Sequence, residues 1–132
     1  QLHQEIGYYL GVPKHKLDFI HSTLRGDKAR TRTDAVIANT LYQNGIDYEY
    51  EKPLYYDKNK SILPDFIVYS PNGEEIYWEH FGIMGREIFD EKWLKKLQVY
   101  KTYFPGQLVK TYEGAVFTDE TISLIRKLVS GT

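Results

Sequence analysis

The chain has 132 residues, 42% of them hydrophobic and 27% charged, and its formal net charge is -1. That length suits one domain with a sizeable core, and the near balance of charge excludes a global attraction to nucleic acid or membrane, so any such surface is local. With no cysteine in the sequence, disulfides, thiolate zinc sites and a cysteine nucleophile are excluded as well.

No apolar run approaches the roughly 20 residues of a membrane span, and the N-terminus does not read as a signal peptide. These features predict a cytoplasmic protein with no membrane partner. The chain begins with Gln1 rather than Met, which predicts a fragment of something longer. Twelve tyrosines and two tryptophans favour strands and half-buried surfaces but identify no partner.

In chain order, residues 1–24 read as helical in two pieces. "QLHQEIGYYLG" ends at Gly11, and Pro13 suits the start of "PKHKLDFIHSTL". "RGDKARTR" is a polar, basic connection. "TDAVIANTLYQN", 33–44, has a helical pattern ended by Gly45. "IDYEYEKPLYYD" alternates like a strand, and "KNK" makes a turn. "ILPDFIVYS", the turn "PNGE" and "EIYWEHFG" form a hairpin, and "IMGRE" a loop. Asp90 can cap a helix across "EKWLKKLQVYKTYF", stopped by Pro105 and Gly106. "QLVKTYEGAVF" is a strand, and Thr118 can cap a final helix, "DETISLIRKLVS". The order helix, three strands, helix, strand, helix predicts one mixed α/β sheet flanked by helices.

Two acids stand out in the hairpin. Asp65 begins its first strand and Glu79 lies near the end of its second. Asn72-Gly73 is a strong hairpin signal, but the sequence leaves two registers open. A two-residue turn sets Asp65 opposite His80, and a loop one residue longer, centred on Asn72, sets it opposite Glu79. A one-residue slip changes the face a side chain occupies. If the two acids share a face, their Cβ atoms are about 5 Å apart, and either one takes up a proton or a cation sits between them. Oxygen ligands suit Mg²⁺ or Mn²⁺. Alternatively Asp65 caps the strand start and Glu79 pairs with a surface lysine.

Asp34 is a third acid of interest. At about 100° per residue, Ile37, Ala38 and Leu41 surround it on the apolar face of its helix. A carboxylate buried there needs a partner, or else Thr31 and Asp34 form a local capping box with Asp in place of Glu. In the later helix, Trp93, Leu97, Tyr100 and Phe104 make the apolar stripe. Lys96 borders it, four residues before Tyr100, either as a functional cation or as a lysine whose stem covers an apolar edge. Lys95 points roughly away from the stripe, towards solvent.

An acid in an early helix, then "PD", then an acid on the next strand resembles the PD-(D/E)xK nuclease superfamily. More closely, "TDAVIANTLYQNGIDYEYEKP", "LPDFIVY", "YWEHFG" and "WLKKLQVYK" resemble a nuclease-like module of bacterial proteins related to superfamily-one DNA helicases. The resemblance covers 31–104, and less specifically "LVKTYEGAVF" and the last helix. It implies a restriction-endonuclease-like mixed central sheet flanked by helices, with 31–132 as the nuclease core behind an N-terminal helical segment and basic connection over 1–30. It implies Asp34, Asp65 and Glu79 as the metal-binding acids. Two departures stand in this chain: the helix acid, usually Glu, is Asp34, and the position two residues after the strand acid, usually Lys, is Phe81. Some branches take that lysine from the following helix, where Lys96 is best placed. The Lys96-to-Tyr100 spacing is similar to a helix motif of recombination-type nucleases. His80 could ligand metal or touch substrate, or be satisfied by a core or hairpin hydrogen bond.

The activity implied is Mg²⁺- or Mn²⁺-dependent phosphodiester hydrolysis, with nucleic acid, most readily DNA, as substrate and a covalently linked or associated helicase as partner. Asp65 and Glu79 would hold the metal, Asp34 directly or through water, and Lys96 would position the water or offset transition-state charge. Arg25, Lys28, Arg30 and Arg32 cluster before the Asp34 helix, and Lys92, Lys95 and Lys101 share the Lys96 helix. These could contact phosphates, which positions nucleic acid without reading its sequence. The alternative is a catalytically silent nucleic-acid- or protein-binding module of the same fold. A third reading is an α/β interaction domain whose acids are structural.

Overall fold

The computed structural model describes residues 21–114, 123–124 and 126–127. The chain divides into two compact units, one ending at Gln43 and one beginning at Asn44. The helical pieces expected over 1–20 and the Thr118 cap lie outside the described residues.

The first unit contains β1 (His21–Ser22), β2 (Lys28–Ala29) and α1 (Arg32–Gln43). β1 and β2 pair antiparallel, where helix was expected up to residue 24 and a plain connection after it. The turn between them explains the difference. Gly26 takes φ 105, the Gly26 N–H reaches the Thr23 carbonyl at 3.0 Å, and the Thr23 hydroxyl accepts from the Asp27 N–H at 3.0 Å. A left-handed glycine held this way closes a hairpin and ends any helix. Arg25 pairs with Asp27 at 2.7 Å and Lys28 donates to the Ser22 hydroxyl at 2.7 Å, so two members of the basic cluster are engaged locally. Thr31 caps α1 by accepting the Asp34 N–H at 3.0 Å, one half of the expected capping box. Asp34, Ala35, Ile37, Ala38 and Leu41 form its buried stripe.

The second unit is a mixed α/β structure. Its strands are β3 (Asp47–Tyr50), β4 (Leu54–Tyr56), β5 (Lys60–Ile62), β6 (Phe66–Tyr69), β7 (Glu75–Phe81) and β8 (Leu108–Tyr112). A 3₁₀ turn, Arg86–Phe89, precedes α2 (Glu91–Tyr103). The central sheet has the order β3-β6-β7-β8. β3, β6 and β7 pair antiparallel, and β8 joins β7 in parallel after the crossover through α2, as a parallel neighbour requires. β4 and β5 form a separate hairpin. The single strand expected across "IDYEYEKPLYYD" is therefore two, in different sheets. The break falls where Glu51 adopts φ 51, two residues before Pro53, which cannot donate to a ladder.

Alternation along the strands makes two faces. Ile67 and Tyr77 face α2 and cluster with its Trp93 and Tyr100, with Leu97, Phe104, Phe81 and Leu108 packed around them. The apolar stripe expected for this helix is the one that packs. Ring centroids lie 5.1 Å apart for Tyr77 and Phe104 and 4.8 Å for Phe81 and Trp93. Fully burying a ring of this kind contributes about 1.5–3 kcal/mol, and the partly buried Phe81 and Phe104 contribute less. On the other face Phe66, Val68 and Trp78 are fully buried. Asp90 caps α2, its carboxylate accepting from the N–H groups of Lys92 and Trp93. Among the described residues no helix is long and apolar enough to cross a membrane.

Candidate functional site

The β6–β7 turn decides which acids meet. Tyr69 pairs with Glu75 and Phe66 with Trp78, so the next level sets Asp65 opposite Glu79. This is the longer of the two loops the sequence left open. The Gly73 N–H reaches the Ser70 carbonyl at 2.9 Å, and Gly73 follows at φ 92. A turn closed by a left-handed glycine is the usual three-residue hairpin solution. The Asn72 side chain supports it by accepting from the Glu74 N–H at 3.1 Å.

Asp65 has a second task in this register. Its Oδ2 accepts from the His80 N–H at 2.7 Å. In β7 the Tyr77 N–H points to β8, reaching the Gln107 carbonyl. Alternation then turns the His80 N–H towards β6, which has no residue left to receive it beyond Asp65 and Pro64. The Asp65 carboxylate ends the ladder there, while its own carbonyl accepts from the Glu51 N–H at 3.0 Å.

Glu79 lies opposite, 4% exposed, on the face covered by α2. Its Oε2 receives Lys96 Nζ at 2.6 Å and the Tyr100 hydroxyl at 2.6 Å. One helical turn separates these donors, so α2 delivers both to one oxygen. Lys96 Nζ also donates to the Leu63 carbonyl at 2.6 Å, fixing the ammonium between helix and strand. Glu79 Oε1 has no hydrogen-bond partner among the described residues. Burial pushes the Glu79 carboxyl above its ordinary range, while the Lys96 charge and the hydrogen bonds from Lys96 and Tyr100 pull against that rise. Burial also raises the Tyr100 phenol, and the neighbouring Glu79 and Asp65 charges raise it further.

The structure thus brings together Asp65, Glu79, Lys96 and Tyr100. Phe81, two residues after Glu79, packs on Trp93 and Tyr112. His80 alternates to the opposite face. Its Nδ1 lies 2.8 Å from the Thr111 hydroxyl, which also accepts from Trp78 Nε1, and its Nε2 lies 3.1 Å from Glu113 Oε1. The hydrogen-bonded reading is the one these contacts match. Asp34, Arg30 and Arg32 belong to the first unit, Asp34 buried and the two arginines exposed.

Sequence reasoning missed Glu87, which is 7% exposed inside the segment expected to be a plain loop. Its Oε2 accepts from the Tyr112 hydroxyl at 2.6 Å and its Oε1 from the Gly85 N–H at 3.0 Å. Lys110, the β8 neighbour of Glu79, approaches Glu87 at 3.8 Å. Burial favours the neutral acid, but these hydrogen bonds and the Lys110 charge outweigh it and hold Glu87 below the usual carboxylate range.

Among the described residues no group of three or more His, Asp or Glu side chains is set to hold a metal ion. The donor chemistry still suits a hard cation. A buried carboxylate oxygen without a donor among the described residues, on a strand level opposite a second acid, is of the oxygen type that Mg²⁺ and Mn²⁺ prefer as ligands.

No protein-family model matches the chain, and no solved structure matches it. An uncharacterized protein of Methanocaldococcus jannaschii is 36% identical over 70 residues, which cover 53% of this chain and 6% of that protein. The chain therefore spans a small part of the length of the curated relative it matches, and that relative's name states no activity.

Proposed function

We propose that this chain is a metal-dependent nuclease domain that hydrolyses phosphodiester bonds in DNA, acting in the cytoplasm beside a helicase or other DNA-processing module. One observation carries the reading: Glu79 is held opposite Asp65, with Lys96 and Tyr100 on one of its oxygens and no partner on the other among the described residues. Asp65 and Glu79 would hold Mg²⁺ or Mn²⁺, and the resemblance assigns Asp34 to the same set. The bound cation would lower the pKa of its water and offset charge on the phosphate. Lys96, fixed by the Leu63 carbonyl, orients Glu79 and supplies positive charge for the transition state. Tyr100 holds the Glu79 rotamer.

A second reading, the silent binding module, is favoured by one fact. Both acids already have protein donors, the His80 N–H on Asp65 and Lys96 with Tyr100 on Glu79. Cleavage of single- and double-stranded DNA in Mn²⁺, Mg²⁺ or EDTA, beside Asp65→Asn, separates the two. The nuclease reading expects metal-dependent cleavage that the substitution removes. Equal products from both proteins, no greater than in EDTA, select the silent module.

A further inference from the structure

Beside the Lys96–Glu79 pair, α2 and the β4–β5 hairpin enclose an open cleft of about 270 Å³. Lys92, Lys95, Lys96 and Val99 line it from the helix. Their spacing of three and four residues puts them on one stripe, adjacent to the stripe that packs on the sheet. Tyr56, Ile62 and Leu63 form the facing wall. Tyr56 is braced by Tyr103, one turn beyond Val99, at a centroid distance of 4.9 Å.

Three properties of this cleft select an occupant. First, its lining carries three lysines and no acid, in a chain of net charge -1, so the positive charge is concentrated locally. Secondly, Lys92 and Lys95 make no ion pair among the described residues, and both are exposed. Thirdly, the opposite wall is apolar and aromatic. A duplex would present only sugar and phosphate to a cleft of this size and leave that wall unused. An unpaired strand presents phosphates to one side and base faces to the other, and a basic groove with aromatic platforms is how single strands are held without sequence preference.

We infer that the cleft between α2 and the β4–β5 hairpin is the track for single-stranded nucleic acid, with Lys92 and Lys95 on its phosphates and Tyr56 against a base. The inference rests on the nuclease reading for one point only, that the strand runs from this cleft towards Glu79. Lys96 belongs to both places, since it lines the cleft and contacts Glu79.

The test is binding by the whole chain in EDTA, which separates it from cleavage. The probes are a fluorescein-labelled oligothymidylate of about 16 nucleotides, the long end of single-strand site sizes, and a duplex of equal length. Binding is followed by anisotropy across a salt series. The single strand is expected to bind at least ~10-fold tighter than the duplex. Lys92→Glu with Lys95→Glu should weaken it by ~10-fold or more and lower the salt slope by about 0.7 per lysine. Tyr56→Ala should weaken the single strand and leave any duplex binding unchanged. Lys101→Glu, on the same helix outside the cleft, is the control for Lys92→Glu or Lys95→Glu alone, whose charge change it matches, and should have a smaller effect than either. Equal or tighter duplex binding, an equal loss in the control, no binding of either probe, or equally good competition by polyglutamate would each overturn the inference. Single-strand binding without cleavage in Mg²⁺ would sink the nuclease reading and leave the cleft standing. Cleavage indifferent to the lysine reversal would do the opposite.

Discussion

Lys96 Nζ lies 2.6 Å from Glu79 Oε2, with the lysine side chain 23% exposed and the glutamate's 5%. The cation thus keeps some water while the anion has almost none, and the carboxylate depends on the pair more than the ammonium does.

Lys96→Met removes the charge but keeps most of the stem. Burial already raises Glu79, and without the ammonium its carboxyl moves further towards the neutral acid. Cleavage is expected to fall by about 10²-fold or more, the scale of losing one preorganised electrostatic contact, with Lys96→Arg retaining part of it. Initial rates across pH provide the check. A rate unchanged from the parent chain removes Lys96 from the chemistry.

Tyr100→Phe isolates the hydroxyl. The ring contacts to Tyr77 and Trp93, at 6.1 and 6.2 Å, survive, while the donor to Glu79 is lost. A hydrogen bond to a charged group is worth about 1.5–3 kcal/mol, so urea unfolding should show a loss of that order with an unchanged m-value. Full stability in the variant would mean that the hydroxyl contributes nothing to holding Glu79.

Asp65 can be dissected by comparing two substitutions. Asp65→Ala leaves the His80 N–H without its acceptor, at about 1–3 kcal/mol. Asp65→Asn keeps an acceptor oxygen and should melt close to the parent. Mn²⁺ should raise the parent's melting temperature by stabilising the native state, and neither variant should respond. Equal melting of the Ala and Asn chains would refute the ladder-ending role, and an Asn chain that still responds to Mn²⁺ would take Asp65 off the metal.

The two buried glutamates should titrate with opposite signs. Glu79 has a raised folded-state pKa, so the native chain binds the proton first. Its contribution to stability grows as pH falls from the raised value towards the ordinary carboxylate range. Glu87 has a lowered one. Its contribution is present above the ordinary carboxylate value and is lost as pH falls through the depressed one. Chemical denaturation against pH should therefore change slope in Glu79→Gln above the ordinary range, and in Glu87→Gln below it. Parallel curves for parent and both variants would contradict these environments.

The β6–β7 hairpin, the α2 stripe and its Asp90 cap were legible in the sequence because each rests on a local rule: a turn dipeptide, a 3.6-residue period and a short polar side chain before a helix. The pairing of Lys96 with Tyr100 was legible by the same period. The hairpin register was not, because both loops use Asn72-Gly73 with a left-handed Gly73, and only the two-residue turn also needs a positive φ at Asn72, which Asn72 does not adopt. β1 and β2 went unread because two-residue polar strands carry no period. Glu87 gave no local signal. It is buried by the tertiary approach of Tyr112 and Lys110, which lie 25 and 23 residues further on, and no window around "MGREIF" contains them.

The order of the strands also has a consequence for how the chain acquires its shape. β6 and β7 close over a three-residue loop, a step of microseconds for an isolated hairpin, whereas β8 finds β7 only after the whole crossover through α2 has been gathered. That difference in loop closure predicts that Asp65 and Glu79 meet before the helix that carries Lys96 has docked. The early hairpin holds two like charges without their counter-ion, and it is relieved when α2 arrives. Acid that neutralises Glu79, or a substitution that removes its charge, should ease the first event and weaken the drive for the second, so the acid pair also bears on how readily the helix docks.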